Sequence, residues 1–108
     1  MNVIIYGTKK CAETRKAERF LRERRIPFQF RDIDDKPVTE GELKNLVAGH
    51  AASDLLDTAS KAYEKRGLAY MEYDAFEELL ADSTLLATPI IRLDKKSYVR
   101  PRLESLPL

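Results

Sequence analysis

Residues 2–33, NVIIYGTKKCAETRKAERFLRERRIPFQFRDI, decide the architecture. Asn2–Tyr6 is an apolar run too short for a helix and rich in β-branched side chains, which reads as a buried strand. Gly7-Thr8-Lys9-Lys10 is expected to break it. From Cys11 to about Arg25, the apolar residues Ala17, Phe20 and Leu21 fall at i, i+3 and i+4, on one face of a helix. Pro27 stops that helix from continuing. Phe28, Phe30 and Ile33 then mark a second strand. A strand–helix–strand unit of this kind implies a right-handed crossover and parallel strands.

Beyond this unit the chain changes character. Residues 9–31 hold nine Lys/Arg against three acids; residues 32–86 hold five against thirteen; residues 87–108 hold five against two. An acidic middle between basic ends suggests a separate structural layer. Thr39-Glu40-Gly41-Glu42 fits a capping box, with Leu43, Leu46 and Val47 following at helical spacing and Gly49 as terminator. A second helix is expected from near Ser53, carrying Leu55, Leu56, Ala59 and Tyr63 and stopping at Gly67. A third is expected from about Asp74 through Phe76, Leu79 and Leu80. Ile90–Leu93, a polar turn at Asp94-Lys95-Lys96, and Ser97–Arg100 form a β-hairpin. The tail, with Pro101 and Pro107, carries no clear pattern.

At 108 residues, with 44% hydrophobic and 34% charged residues, the chain is a single globular domain. One cysteine excludes an internal disulfide framework, and one cysteine with one histidine argues against structural zinc. No apolar stretch approaches the ~20 residues of a membrane span. No basic residues precede the N-terminal apolar run, so it does not read as a secretion signal, and the reducing cytoplasm is the expected location. Acids at Glu13, Glu18 and Glu23 interrupt the basic stretch, which therefore reads as a solvated helix face rather than a direct nucleic-acid surface. His50 reads as an exposed loop residue, Tyr63, Tyr70 and Tyr73 as edge residues, and Asp34-Asp35 as a solvated turn.

The chemistry centres on Cys11. At a strand-to-helix junction, helix-start amides and the positive end of the dipole stabilise a thiolate, as would Lys9, Lys10 and Arg15 if directed at it. The alternative is a small buried hydrophobe.

The segment Cys11–Ala17, placed after Tyr6–Lys10, resembles the active-site turn of the arsenate reductase (ArsC) and Spx family. The resemblance continues through Ile26-Pro27-Phe28, Arg31-Asp32-Ile33, Pro37, Thr39 and Leu43, through Ala62-Tyr63 and Gly67-Leu68, to Thr88–Ile91 and Arg100-Pro101. It implies an α/β, thioredoxin-like fold: a four-stranded mixed sheet from the β-α-β unit (1–36) and a C-terminal hairpin and tail (87–108), with a helical insertion (37–86). It also implies Cys11 and Arg15 as catalytic residues, and Lys10, Thr14, Thr88, Pro89 and Arg100 as substrate-binding residues. Thr14 stands where dithiol members carry a second cysteine, so release of a Cys11 mixed disulfide requires an external thiol such as glutathione, or a thiol/disulfide protein partner. No other cofactor and no metal is expected. Of three family arginines that hold an oxyanion only Arg100 has a counterpart, so arsenate is not the expected substrate.

Thr88-Pro89 resembles the threonine–cis-proline turn of thioredoxins and glutaredoxins. Without the resemblance, a trans proline opening an edge strand is favoured. A cis peptide would leave the Thr88 amide and carbonyl free to pair with a peptide backbone. Two functions follow: a monothiol oxidoreductase, expected to be monomeric, or an Spx-like regulatory module docking on RNA polymerase. The chain stops at Leu108 without a clear final helix, which weakens close identity with either branch.

Overall fold

A computed structural model describes residues 1–108. Strand β1 (Val3–Gly7) leads into helix α1 (Ala12–Glu23), which returns to β2 (Gln29–Asp32). Helices α2 (Glu40–Val47), α3 (Lys61–Lys65) and α4 (Ala75–Ala81) follow, and the hairpin β3 (Ile90–Leu93) and β4 (Lys96–Val99) completes the sheet. The strand order is β2-β1-β3-β4, parallel between β1 and β2 and antiparallel elsewhere. This is the mixed four-stranded sheet that the family resemblance implies.

Strand alternation sorts the core into two layers. Val3, Ile5, Ile91 and Leu93 face α1, where they pack on Ala17, Leu21 and Leu106 of the tail. Tyr6 and Ile90 face the insertion, against Leu43, Leu46, Leu68, Leu79 and Leu85. The acidic middle therefore forms the layer opposite α1. No helix is long and apolar enough to cross a membrane.

The Thr39 capping box forms as read. Its hydroxyl accepts from the Glu42 amide at 3.2 Å and the Glu42 carboxylate accepts from the Thr39 amide at 3.0 Å. Asp74 caps α4 in the expected place.

Two expectations are corrected. The single helix from Ser53 to Gly67 is a 3-10 turn (Ala52–Leu55), an extended link, and then α3 capped by Ser60. The link is extended because its backbone pairs with the approach to β3: Asp57 donates to the Leu85 carbonyl and Ala87 to the Leu55 carbonyl, both at 2.8 Å. Gly7 is the last residue of β1 rather than the break after it, paired with Asp32. Its role is to leave room. A Cβ there would lie 2.4 Å from Thr14 Oγ1 and 2.5 Å from its methyl, and Thr14 is fully buried in α1. Gly7→Ala is expected to cost about 1–3 kcal/mol of stability, measured by urea unfolding, because α1 must be pushed off the strand.

Candidate functional site

Strand β1 ends at Gly7, and the turn Thr8–Lys10 delivers Cys11 to the N-cap of α1. The Cys11 amide donates to both the carbonyl and the hydroxyl of Thr8 at 3.2 Å. With φ −78° and ψ 115°, Cys11 has the extended backbone of a cap residue, and its thiol is partly exposed. A cap side chain faces the orphan amides of the first turn.

Burial pushes the Cys11 thiol up, but the hydroxyls of Thr14 and Thr88 and the backbone amides of Thr14 and Glu13 together outweigh it, holding the thiol below its ordinary value. A long contact from Sγ to the Thr88 carbonyl, 3.8 Å, works the other way by accepting from the neutral thiol. The lowering comes from the threonine hydroxyls and the first-turn amides rather than from Lys9, Lys10 or Arg15, whose help is expected only if they are directed at the sulfur. The Arg15 guanidinium lies instead against the Lys9 carbonyl at 3.4 Å.

Thr14 Oγ1 is sealed from water and has no hydrogen-bond partner. Ionisation of Cys11 supplies an acceptor, so a buried hydroxyl otherwise left unpaired favours the thiolate. Thr14→Val is therefore expected to leave stability unchanged or raised, while cutting the thiolate fraction at pH 7 about tenfold. Iodoacetamide labelling against pH, beside a urea melt, checks both halves.

The Thr88-Pro89 peptide is cis, and Pro89 is buried. Thr88 lies opposite the thiol, but its backbone is not free. The Thr88 amide donates to the Leu86 carbonyl at 3.0 Å, and its carbonyl accepts from Arg100 Nε at 3.0 Å. The single amide proton expected to pair with an added strand is thus used internally, while the carbonyl keeps a second lone pair. Arg100 is committed as well: its Nη2 donates to Asp57 Oδ2 at 2.6 Å. A carboxylate occupies the one arginine that matched the oxyanion-binding set, which adds a charge-based reason against a dianionic oxyanion.

A pocket of about 220 Å3 lined by Glu13, Pro89, Arg100, Pro101 and Leu103 adjoins this turn. Lys10 points elsewhere, bordering a recess beside α3. A larger hollow along the C-terminal half of α1, reaching Phe28 and Phe30, contains none of the residues around the thiol. His50 is exposed, as expected, and is tethered through Nε2 to the Ser97 carbonyl at 2.8 Å. Asp57 was not visible as a site residue: it lies 43 positions from Arg100, and no local motif marks it.

A four-stranded mixed sheet, a crossover helix capped by a cysteine and a cis-proline facing that cysteine define a thioredoxin-like protein. The glutaredoxin family model matches residues 3–52. Global transcriptional regulator Spx 2 of Bacillus cereus is 30% identical over 98 residues, covering 87% of this chain and 75% of that protein. Arsenate reductase from Vibrio cholerae superposes with a TM-score of 0.79 at 20% identity, over 96% of this chain and 93% of that one. An arsenate reductase (ArsC) related protein from Brucella melitensis gives 0.72 at 25% identity, over 92% and 86%. The chain belongs to the ArsC/Spx family.

Proposed function

We propose that the protein is a monothiol oxidoreductase in which the Cys11 thiolate attacks a disulfide and an external thiol, such as glutathione, releases the product. The observation that carries this reading is the placement of Cys11: partly exposed at the N-cap of α1, with its sulfur 3.8 Å from the Thr88 carbonyl of the cis-proline turn. No second cysteine is available to resolve a mixed disulfide, so the cycle needs a co-substrate thiol. Arg15 stays exposed on the first turns of α1, where its charge favours an anionic partner. Arsenate is not the substrate in this reading, because Asp57 neutralises Arg100.

A glutathione-coupled assay on a small mixed disulfide tests it; turnover that depends on Cys11 supports the reading, and none at any thiol concentration rejects it. A second reading is an Spx-like regulatory module that docks on RNA polymerase and uses Cys11 as a sensor or not at all. It is favoured by the Spx relatives and by the Thr88 amide being used internally rather than offered to substrate. Retention of RNA polymerase on the immobilised protein, without thiol turnover, would select it.

A further inference from the structure

Strand β2 forms one edge of the sheet and pairs with β1 alone. Ile5 and Gly7 lie opposite Phe30 and Asp32, and the Ile33 amide donates to the Gly7 carbonyl at 3.0 Å. A parallel ladder engages alternate residues of each strand, so Gln29, Arg31 and Ile33 serve β1. Phe30, and Phe28 just before the strand, turn their amides and carbonyls outward. Along this edge, on the α1 side of the sheet, lies a hollow of about 840 Å3 lined by the apolar Ile26, Phe28 and Phe30 and by Glu18, Arg22 and Arg25. Glu18 is already bonded to Arg22 at 2.8 Å, and the Arg22 guanidinium sits 5.7 Å from the centre of the Phe28 ring. Arg25 enters no ion pair. Glu18 and Arg22 also line a second recess, with Lys9, Arg15 and Arg19. One continuous face thus carries five cations and one carboxylate, and a face of one sign concentrates ligands of the other. Arg25 follows the C-cap of α1 with φ 55°, and the Ile26 amide donates to the Leu21 carbonyl at 3.0 Å. Glycine is the preferred residue at such a left-handed helix stop. The chain keeps a guanidinium there against that preference, in the lining of the hollow.

We infer that the β2 edge and this hollow are a docking site for an extended acidic segment of a partner protein, which adds to the sheet as a strand beside β2. Main-chain bonds to Phe28 and Phe30 supply affinity, and alternate acidic side chains of the added strand meet Arg25 and the basic ridge of α1. A second copy of this chain is a poorer occupant, because pairing β2 with β2 brings two such basic faces together. A nucleic acid is poorer too: Phe28 and Phe30 pack against the core cluster rather than standing free for base stacking, and outward amides alternating with carbonyls match a peptide backbone. The site lies apart from Cys11 and does not rest on the chemistry of that thiol.

Fluorescence anisotropy with a labelled peptide of about ten residues, alternating glutamate and valine, tests this. Its comparators are the lysine–valine peptide, the fully N-methylated glutamate–valine peptide, which has no main-chain donors, and an oligothymidylate of the same length. The glutamate–valine peptide is expected to bind, and each comparator to bind at least about tenfold more weakly. Arg25→Glu is expected to weaken binding of the acidic peptide about tenfold. Arg25→Gly is expected to weaken it about threefold while raising Tm by about 2–5 °C, which separates docking from stability. Lys95→Glu, which changes net charge as much as Arg25→Glu but on the hairpin turn, is expected to bind as wild type does. No binding of the acidic peptide, equal binding of its N-methylated form, unchanged affinity in both Arg25 variants, or an equal loss in Lys95→Glu overturns the inference. Tighter binding of the oligothymidylate would give the face to nucleic acid, and a dimer in sedimentation that the peptide does not dissociate would give the edge to a second copy; either overturns it as well.

Discussion

Cys11→Ser is expected to reduce glutathione-coupled disulfide reduction to background, a loss of more than about 100-fold. The hydrogen-bond donors that stabilise a thiolate at the α1 cap cannot ionise a serine hydroxyl near neutral pH, so the nucleophile disappears while its surroundings stay. Cys11 is the only cysteine of the chain, and no other thiol can substitute. The change is nearly isosteric at a partly exposed cap position, outside both buried clusters. Unfolding should therefore be almost unaffected, and a circular-dichroism melt verifies that the loss is chemical. Turnover surviving in the folded variant would place the chemistry on another group. Under the regulatory reading the same variant keeps its hold on RNA polymerase, so one protein separates the two functions.

Arg31→Ala is expected to have the largest effect on stability. The Arg31 guanidinium makes two bonds to the Glu42 carboxylate, at 2.8 and 2.9 Å, and donates to the carbonyls of Asp32, Lys36 and Pro37. It joins the end of β2 to the start of α2 and so fixes where the insertion leaves the sheet. Both side chains are largely buried, 17% and 25% exposed, so solvent screens the pair little. Removing the arginine leaves a mostly buried carboxylate unpaired and takes a donor from the Lys36 and Pro37 carbonyls, while the Asp32 carbonyl keeps the Lys36 amide. The cost is about 3 kcal/mol, or roughly 10–20 °C in Tm for a domain of this length.

The same pair gives a pH dependence. Burial pushes the Glu42 carboxyl up, but the Arg31 guanidinium and the Thr39 amide outweigh it and hold the carboxyl below its usual range. A carboxyl depressed in the folded state contributes stability that is fully present above its unfolded pKa, about 4.3, and is lost as pH falls through the folded value. Wild type is expected to lose stability below about pH 4 in urea melts, and Arg31→Ala to lose less over the same interval. Equal slopes would show that Glu42 is not held by Arg31.

Much of this fold was legible because its signals are local. The apolar run before Gly7, the 3.6-residue spacing of Ala17 and Leu21, the stop at Pro27 and the Thr39 capping box each act within a few residues of themselves. The 53–67 stretch misled for the opposite reason. Leu55 and Leu56 sit at helical spacing from Ala59, yet the backbone at 55–57 is claimed by residues 85–87, some thirty positions away. The site divides in the same way. Cys11 and Thr14 share the start of α1, and the Cys11 sulfur reaches the Thr88 carbonyl beside cis-Pro89. Asp57 on Arg100 is a product of the insertion folding back, and no short motif carries it.

The pH dependence of Cys11 alkylation tests the thiolate most directly. A thiol ionised by the α1 cap gives a rate that inflects well below the free-cysteine value of about 8.5. An inflection at or above that value would mean that the cap hydrogen bonds do not hold the charge, and Cys11 would be a structural residue at the start of a helix.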